Sequence, residues 1–231
     1  MVIDRRRFES LLPQEAVASQ RVALLGAGGL GSYIAPILTR MGVHSWVLVD
    51  FDRVEAVNVA TQDYPAASLG RLKVEALADR LREVEPEVEV QGFPGRVETL
   101  PQQALEGVTL GVLAADNMAA RRTMYGKLKR AACMMPPLVV DPRMGAEVLE
   151  VYAFRLGDAY QEQYEKLLQD RHYAQEPCGA RAIAYTGALA AAVLGSLVRR
   201  AFVGEDVQGW MGMDLGVLGI RNYFHFEEER R

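Results

Sequence analysis

The chain has 231 residues, with 26 basic and 30 acidic side chains, a formal net charge of −4 and 50% hydrophobic residues. That length can bury the core of one large domain or of two small ones. The composition argues against a disordered chain, a collagen-like repeat and a small disulfide-rich protein. The mildly acidic balance predicts no nucleic-acid partner and no membrane partner, because phosphate backbones and anionic lipids attract basic surfaces.

The two cysteines, Cys133 and Cys178, lie far apart and form no Cys-x-x-Cys pair, so no structural zinc is predicted. Sparse cysteine, together with a charged N-terminus that lacks a signal-peptide pattern, predicts a cytoplasmic location. The longest apolar run, Ala182–Val198, is shorter than the roughly 20 residues of a membrane span and contains polar and glycine positions. We expect this run to form a buried helix.

The predicted elements begin with a short N-terminal helix and loop over residues 1–18. Next come a buried strand, a glycine turn, a helix and a second strand, the order of a βαβ unit. A long, polar and irregular connection over Phe51–Leu69 then leads into alternating helices and strands. In chain order the predicted strands and helices are strand Arg21–Gly26, helix Tyr33–Met41, strand Ser45–Asp50, helix Arg71–Glu85, strand Glu87–Gln91, strand Val108–Ala115, helix Asn117–Cys133, strands Leu138–Asp141 and Glu147–Phe154, helix Tyr160–Gln169, helix Arg181–Val203 and strand Gln208–Val217. This alternation predicts an α/β fold with a Rossmann-like, doubly wound, mostly parallel sheet. We expect the C-terminal strands to form an antiparallel extension of that sheet.

A glycine-rich turn, Gly26-Ala-Gly28-Gly29-Leu-Gly31, joins the first strand to the helix that follows it. Glycines let the backbone approach a phosphate, and the helix N-terminus supplies N–H donors and a favourable dipole. Asp50 ends the next strand, 24 residues after Gly26, where its carboxylate can accept hydrogen bonds from ribose hydroxyls. The pattern indicates a nucleotide or dinucleotide site. The alternative is a turn that only packs the helix against the strand.

Two further features are atypical of a dehydrogenase. The connection after Asp50 carries a polar cluster that includes Asp52, Asn58 and Gln62. Lys73 falls in the first turn of a predicted helix, where a cation is unfavourable for the helix dipole unless an anion lies nearby. Lys73 is therefore a candidate phosphate ligand, and a solvated surface lysine is the alternative.

A third feature is the carboxylate of Asp116, which directly follows an apolar strand. Doubly wound sheets bind ligands at such carboxyl ends. Mg²⁺ prefers one or two carboxylates together with substrate phosphates, so Asp116 is a candidate metal ligand. The alternative is that Asp116 or Asn117 caps the next helix.

Taken together, these residues resemble the ThiF/MoeB/HesA superfamily, the ubiquitin-activating type of adenylyltransferase. The resemblance runs from Arg21 to about Val217, and the second half of the chain is similar to a stand-alone branch of the superfamily. It implies a single ThiF-type nucleotide-binding domain over 1–231, divided into an N-terminal helix or arm (1–18), a Rossmann-like part (19–141), C-terminal strands with a crossover segment and the apolar helix (142–220), and a charged tail (221–231). The motifs that carry it are the Gly26–Ser32 loop, Asp50-Phe-Asp52-Arg-Val-Glu55, Asn58, Gln62, Gly70-x-x-Lys73-Val-Glu75 and Asp116-Asn117 with Arg121.

The resemblance implies that ATP and Mg²⁺ are used to adenylate the C-terminal carboxylate of a small ubiquitin-like or sulfur-carrier protein that ends in Gly-Gly. A homodimer is implied in the same way. By this resemblance Asp50 would hold the ribose, Asn58 and Lys73 would contact phosphates, Gln62 would support the same loop and Asp116 would ligate Mg²⁺.

The sequence departs from the family at Thr61, because better-known members carry an arginine at this position, one residue before the glutamine. A neutral side chain cannot replace a bidentate phosphate ligand. The candidate substitutes are Arg53 and Arg143 of the same chain, or an arginine among Arg5–Arg7 lent by a partner subunit. The sequence does not choose among them.

Cys178 is a candidate thiol, since some family members carry a cysteine after the crossover segment that accepts the activated carrier as a thioester or persulfide. A helix N-terminus and the nearby Arg181 would both lower its pKa, whereas a small structural residue is an equally weighted alternative. Cys133 is expected in the core. Two other functions stay open. The glycine loop with Asp50 also suits an NAD(P)-dependent oxidoreductase, and Thr61 suits a nucleotide-binding adaptor without catalysis.

Overall fold

The computed structural model describes residues 3–131, 136–169 and 183–222, which form one eight-stranded sheet covered by helices. The strands are β1 Arg21–Leu25, β2 Ser45–Val49, β3 Glu89–Phe93, β4 Leu110–Leu113, β5 Leu138–Gly145, β6 Val148–Arg155, β7 Gly209–Asp214 and β8 Gly219–Asn222. The helices are α1 Gln14–Ala18, α2 Gly31–Met41, α3 Ala56–Val59, α4 Lys73–Val84, α5 Met118–Ala131, α6 Gln161–Gln169 and α7 Ala184–Phe202.

The sheet has the strand order β3-β2-β1-β4-β5-β6-β7-β8. Neighbouring strands from β3 through β5 run parallel, in the order typical of a Rossmann fold. From β5 to β8 each neighbouring pair is antiparallel. The predicted fold class is thereby confirmed, a doubly wound, mostly parallel sheet with an antiparallel C-terminal extension.

Both faces of the central strands are buried, which explains why these strands are almost continuously apolar. On one face, alternate residues such as Leu24 and Leu48 pack in a core that includes Ile34 of α2 and Leu194 of α7. On the other face, the intervening residues pack in a second core with α5 and α6. Helices on both faces leave the carboxyl ends of β1, β2 and β4 as the open edge of the parallel half.

The apolar run predicted as a buried helix forms α7, which packs against α2. Its residues Ala190, Leu194 and Val198 are completely buried. Within residues 3–131, 136–169 and 183–222, no helix combines the length and apolarity that crossing a membrane requires.

β3 lies two residues later than the predicted strand Glu87–Gln91, and two other strands differ more from the prediction. β5 continues past its predicted end at Asp141 to Gly145, because its antiparallel partner β6 pairs along the whole segment. Strand β8 was not predicted. It is a four-residue edge strand, and Leu218 in the turn before it adopts a positive φ of 53°. The irregular connection over 51–69 contains the short helix α3.

Candidate functional site

A cavity of about 540 Å³ opens at the carboxyl ends of β1, β2 and β4. Small-molecule sites typically occupy about 300–1,000 Å³. The cavity lies where the strand order reverses on either side of β1, which is where doubly wound sheets bind ligands. Nine of the residues selected from the sequence line its wall, namely Gly26, Gly28, Gly29, Asp50, Asp52, Asn58, Gln62, Lys73 and Asp116.

The glycine loop packs tightly against its surroundings. Gly26 has a φ of +91°, in the region that favours glycine, and a Cβ there would lie 2.6 Å from the carbonyl oxygen of Ala114. Gly31 begins α2 and is absent from the cavity wall, since it packs against Gly26, whose carbonyl oxygen a Cβ on Gly31 would overlap. The contacts of these two glycines fix the loop, so that Gly28 and Gly29 form part of the cavity wall.

The carboxylate of Asp50 holds the glycine loop to the end of β2. Its Oδ2 accepts a hydrogen bond from the Ala27 N–H at 2.7 Å, and its Oδ1 accepts one from the Asp52 N–H at 2.8 Å. Burial raises the pKa of Asp50, while these two N–H groups and nearby Lys73 act in the opposite direction. Each carboxylate oxygen retains a further lone pair with which to accept a hydrogen bond from a ligand.

Lys73 is the first residue of α4 and its side chain is only 7% exposed. Its Nζ lies 3.0 Å from Oδ2 of Asp52, and its backbone N–H donates to the Asp52 carbonyl oxygen at 2.9 Å. Burial excludes the alternative of a solvated surface lysine. The ammonium group lines the cavity beside a half-exposed carboxylate, so an anionic ligand would meet a cation that the fold already holds in place.

Asn58 and Gln62 lie in and after α3, on the wall of the same cavity. The amide oxygen of Asn58 accepts from the Glu55 N–H at 2.9 Å, which leaves its NH₂ group as the donor for a ligand. The Oε1 atom of Gln62 is buried and has no hydrogen-bond partner in the described part of the chain. Its Nε2 lies 3.8 Å from the position that a Cβ on Gly28 would take.

The sequence left open whether Asp116 or Asn117 caps the next helix, and the structure assigns the cap to Asn117. Asn117 caps α5, because its Oδ1 accepts from the Ala120 N–H at 2.8 Å. Asp116 accepts from the Asn117 side-chain amide at 3.1 Å, and it is exposed on the cavity wall. Its carboxylate therefore has oxygen lone pairs free for a metal ion or a ligand.

Carboxylates outnumber cations in the wall of the cavity. A polyphosphate bound there would meet more negative than positive charge, so such a ligand would bind more favourably together with a divalent cation. The titratable residues of the wall are Asp50, Asp52, Glu98, Asp116, Lys73, Arg96 and Arg121.

A family model described as the ThiF family matches residues 4–134, which is more than half of the chain. The chain belongs to the ThiF family. Two curated relatives share the name ubiquitin-like modifier-activating enzyme 5. The protein from Caenorhabditis elegans is 39% identical over 86 residues, covering 37% of this chain and 20% of its own length. The protein from Drosophila willistoni is 30% identical over 141 residues, covering 55% of this chain and 34% of its own. This ThiF-family chain thus spans only a fifth to a third of these relatives.

Solved structures share the fold of this ThiF-family chain over most of its length. PaaA superimposes with a TM-score of 0.72 at 21% identity, covering 93% of this chain and 66% of that one. Escherichia coli MccB, in a structure with ATP, gives a TM-score of 0.68 at 18% identity, covering 92% of this chain and 65% of that one. At these identities the likeness establishes the fold.

Thr61, the position at which the resemblance led us to expect an arginine, lines the cavity. The arginines proposed as substitutes lie elsewhere. Arg53 donates to the Gly70 carbonyl oxygen at 2.7 Å, and Arg143 is buried against Asp141. Neither residue belongs to the cavity wall.

Arg5, the first arginine of the predicted N-terminal donor group, is buried within its own chain. Its Nη2 lies 3.1 Å from Oε2 of Glu85, and the same side chain donates to the carbonyl oxygens of Thr39 and Arg40 at the end of α2. These contacts make Arg5 unsuitable as a residue lent across a subunit interface. Arg6 and Arg7 are exposed, and Arg6 pairs with Asp4.

Arg96 is a cavity residue that the sequence analysis missed. It follows β3 after a short turn, and its guanidinium lies over the ring of Phe51 with 4.6 Å between Cζ and the ring centroid. Because β3 neighbours β2, the carboxyl end of β3 opens on the same cavity. The available signal was an arginine just after a strand at that edge. Of the two other cations in the wall, Lys73 pairs with Asp52, and Arg121 is buried against Asp141.

The candidate thiol Cys178 lies outside the described residues, as does Cys133. Their predicted roles therefore stay predictions. The described helix α6 ends at Gln169 and α7 begins at Ala184, so Cys178 belongs to the segment that connects these two helices in the sequence.

Proposed function

We propose that this ThiF-family protein adenylates the C-terminal carboxylate of a small ubiquitin-like or sulfur-carrier protein at the expense of ATP. The observation that carries the proposal is the single cavity whose wall combines the glycine loop, Asp50, Lys73 and Asp116. The names of the curated relatives agree with activation of a ubiquitin-like modifier. Structures of MccB with ATP and with AMPCPP and MccA provide a precedent for nucleotide and peptide binding on this fold.

In the proposed reaction, a carboxylate oxygen of the carrier attacks the α-phosphorus of ATP. The bond between that phosphorus and the oxygen bridging to the β-phosphate breaks, giving an acyl-adenylate and pyrophosphate. The step needs no proton transfer, because the attacking carboxylate is already ionised. It requires positioning of the two reactants and stabilisation of the charge that develops on the phosphate oxygens.

The residues of the cavity divide this work. Lys73 would bind phosphate oxygens by exchanging part of its contact with Asp52, and the N–H groups of Gly28 and Gly29 would donate to the same phosphates. Asp50 would accept hydrogen bonds from the ribose hydroxyls. Arg96, over Phe51, would provide the cationic side chain that Thr61 lacks.

Asp116 suits Mg²⁺ when the ion arrives with the nucleotide. No group of three or more His, Cys, Asp or Glu side chains within the described ranges can hold a metal by itself. Mg²⁺ commonly binds through one or two carboxylates plus phosphate oxygens, which a single exposed Asp116 beside a bound triphosphate would satisfy. When bound, the ion would neutralise charge on the leaving pyrophosphate.

A pyrophosphate-exchange assay with a small carrier ending in Gly-Gly tests the proposal. We expect carrier-dependent incorporation of labelled pyrophosphate into ATP, and loss of exchange in Lys73→Ala and Asp116→Asn. A variant such as Lys166→Ala is a matched control, since Lys166 lies on the surface of α6 in an exposed pair with Glu162. Absence of ATP binding, or of exchange with every cognate carrier, would overturn the proposal.

A second candidate function, a nucleotide-binding adaptor without catalysis, is favoured by Thr61. It predicts that the wild-type chain binds ATP without catalysing exchange. The variant Thr61→Arg tests whether another residue of the site replaces the arginine expected at this position. Exchange that is faster in Thr61→Arg than in wild type would indicate that no other residue replaces it. Preferential binding of NADH over ATP would instead indicate an oxidoreductase.

Transfer through Cys178 is a separate part of the proposal. Attack of the Cys178 thiolate on the acyl-adenylate would form a thioester and release AMP, so we expect a reductant-sensitive adduct between enzyme and carrier that is absent in Cys178→Ser. Adenylation and downstream transfer that both survive this substitution unchanged would show that the thiol is not required.

The proposed homodimer is checked by light scattering of the purified chain.

A further inference from the structure

Tyr64 lies beneath the glycine loop, in the connection between α3 and α4, and is 4% exposed. Its hydroxyl donates a hydrogen bond to the Ala27 carbonyl oxygen at 2.7 Å and lies 3.4 Å from the Lys73 carbonyl oxygen. A hydroxyl has one hydrogen, so the shorter contact is the principal bond. The principal bond of Tyr64 therefore holds the Ala27 carbonyl in the glycine loop.

The backbone of Ala27 is held on both sides. Its N–H donates to Asp50 at 2.7 Å, and its carbonyl accepts from Tyr64. The peptide group joining Ala27 to Gly28 is planar and trans, so its C=O and N–H point in opposite directions. With the carbonyl directed at Tyr64, the Gly28 N–H is directed away from Tyr64.

Gly28 lines the cavity, and its N–H donates to no residue in the described part of the chain. A backbone donor without a protein acceptor, in the wall of a cavity and before the N-terminus of α2, suits an anionic ligand. Burial raises the pKa of Tyr64, so its hydroxyl keeps its proton and remains a donor over the working pH range.

We propose that Tyr64 is a positioning residue, whose hydroxyl fixes the Ala27–Gly28 peptide so that the Gly28 N–H is presented to a nucleotide phosphate. The inference rests on the proposed function for the nature of the ligand. Within the described residues, the hydroxyl lies within hydrogen-bond distance of backbone carbonyl oxygens only, so its effect on the ligand is transmitted by the orientation of one peptide group.

The test compares Tyr64→Phe with Tyr125→Phe in the full chain. The two tyrosines are 4% and 5% exposed, and each hydroxyl donates a hydrogen bond of 2.7 Å. The hydroxyl of Tyr125, however, bonds to Glu165 on the opposite face of the sheet. Calorimetry measures the affinity of each variant for ATP and for adenosine. We expect Tyr64→Phe to bind ATP about 3- to 10-fold more weakly than wild type, which is the typical effect of losing one neutral hydrogen bond. Its affinity for adenosine should equal that of wild type. Tyr125→Phe should leave both affinities unchanged.

The outcomes separate the two proposals. A wild-type chain that binds no ATP overturns the proposed function and this inference with it. ATP bound equally by wild type and Tyr64→Phe overturns the positioning role alone. Equal weakening of ATP and adenosine means that the hydroxyl supports the structure only, which also overturns the role. Amide exchange of wild type gives a readout that does not depend on a variant. ATP should slow exchange at Gly28, and unchanged exchange there contradicts the inference.

Discussion

The contact between Gly187 and the glycine loop offers a sharp test of how this cavity is built. Gly187 lies in the first part of α7 and packs against Gly29 and Tyr33. A Cβ at position 187 would lie 2.8 Å from a ring carbon of Tyr33, and closer still to the Gly29 carbonyl oxygen. The Gly29 oxygen is backbone and cannot rotate away, so Gly187→Ala must displace either α7 or the loop.

Gly126→Ala is the matched control, since Gly126 also lies inside a helix, α5. A Cβ at position 126 would meet only the end of the Arg130 side chain, at 3.5 Å. Replacing glycine by alanine within a helix favours folding by about 0.5–1 kcal/mol. Overpacking costs about 1–3 kcal/mol. Because the helix-propensity gain is common to both variants, the difference in free energy of unfolding between them isolates this cost.

We therefore expect Gly126→Ala to be slightly more stable than wild type, and Gly187→Ala to unfold about 2–12 °C below Gly126→Ala, at about 2–4 °C per kcal/mol for a chain of this length. Thermal and urea unfolding measure this difference. Calorimetry should also show weaker ATP binding by Gly187→Ala, because Gly29 lines the cavity. Equal stability of the two variants, with unchanged ATP affinity, would refute the packing argument.

Three other predictions concern single side chains. Lys73→Ala should lower the rate of pyrophosphate exchange about 100-fold. It should lower the free energy of unfolding by only about 1 kcal/mol, because Asp52, the partner of Lys73, is half exposed and can be hydrated when the lysine is removed. Comparable losses of exchange and of folded protein would contradict a phosphate-binding role for Lys73. Arg96→Ala should weaken ATP binding about 10-fold without changing the thermal midpoint, because Arg96 is exposed; unchanged affinity would mean that Arg96 does not compensate for Thr61. Hydrogen bonds from Lys129 and Tyr125 lower the pKa of Glu165 from 4.5 to about 2, so its stabilising effect should be complete above pH 4.5 and disappear as the pH falls through about 2. Urea unfolding of wild type and Glu165→Gln across this range checks it, and a difference that does not change with pH would contradict the assignment.

Most of the parallel half of the fold could be predicted because its signals are local. Strand β1, the glycine turn and helix α2 each carry their own pattern of apolar residues and glycines. Strand β8 carried no such signal, since four residues at a sheet edge are defined by pairing with β7. The extension of β5 past Pro142 likewise depends on β6, a tertiary contact that overrides the local effect of proline.

The candidate site shows the same division. Asp50 could be selected from its distance to the glycine turn and Lys73 from its place in the first turn of a predicted helix, and the structure brings both to one cavity. Arg96 and Tyr64 could not be selected from the sequence. The contact of Arg96 with Phe51 and that of Tyr64 with the glycine loop exist only after distant segments pack together. The buried ion pair of Arg5 with Glu85 was unpredictable for the same reason, as its partners lie 80 positions apart.

The packing of Gly187 on Gly29 also bears on the order in which a growing chain can acquire its activity. The motif residues between Gly26 and Arg121 are translated before α7, which forms the wall behind the glycine loop. A nascent chain that has emerged only through α5 would already carry every motif residue and still lack that wall. The glycine loop can therefore reach the packing described here only after α7 has left the ribosome and docked on α2.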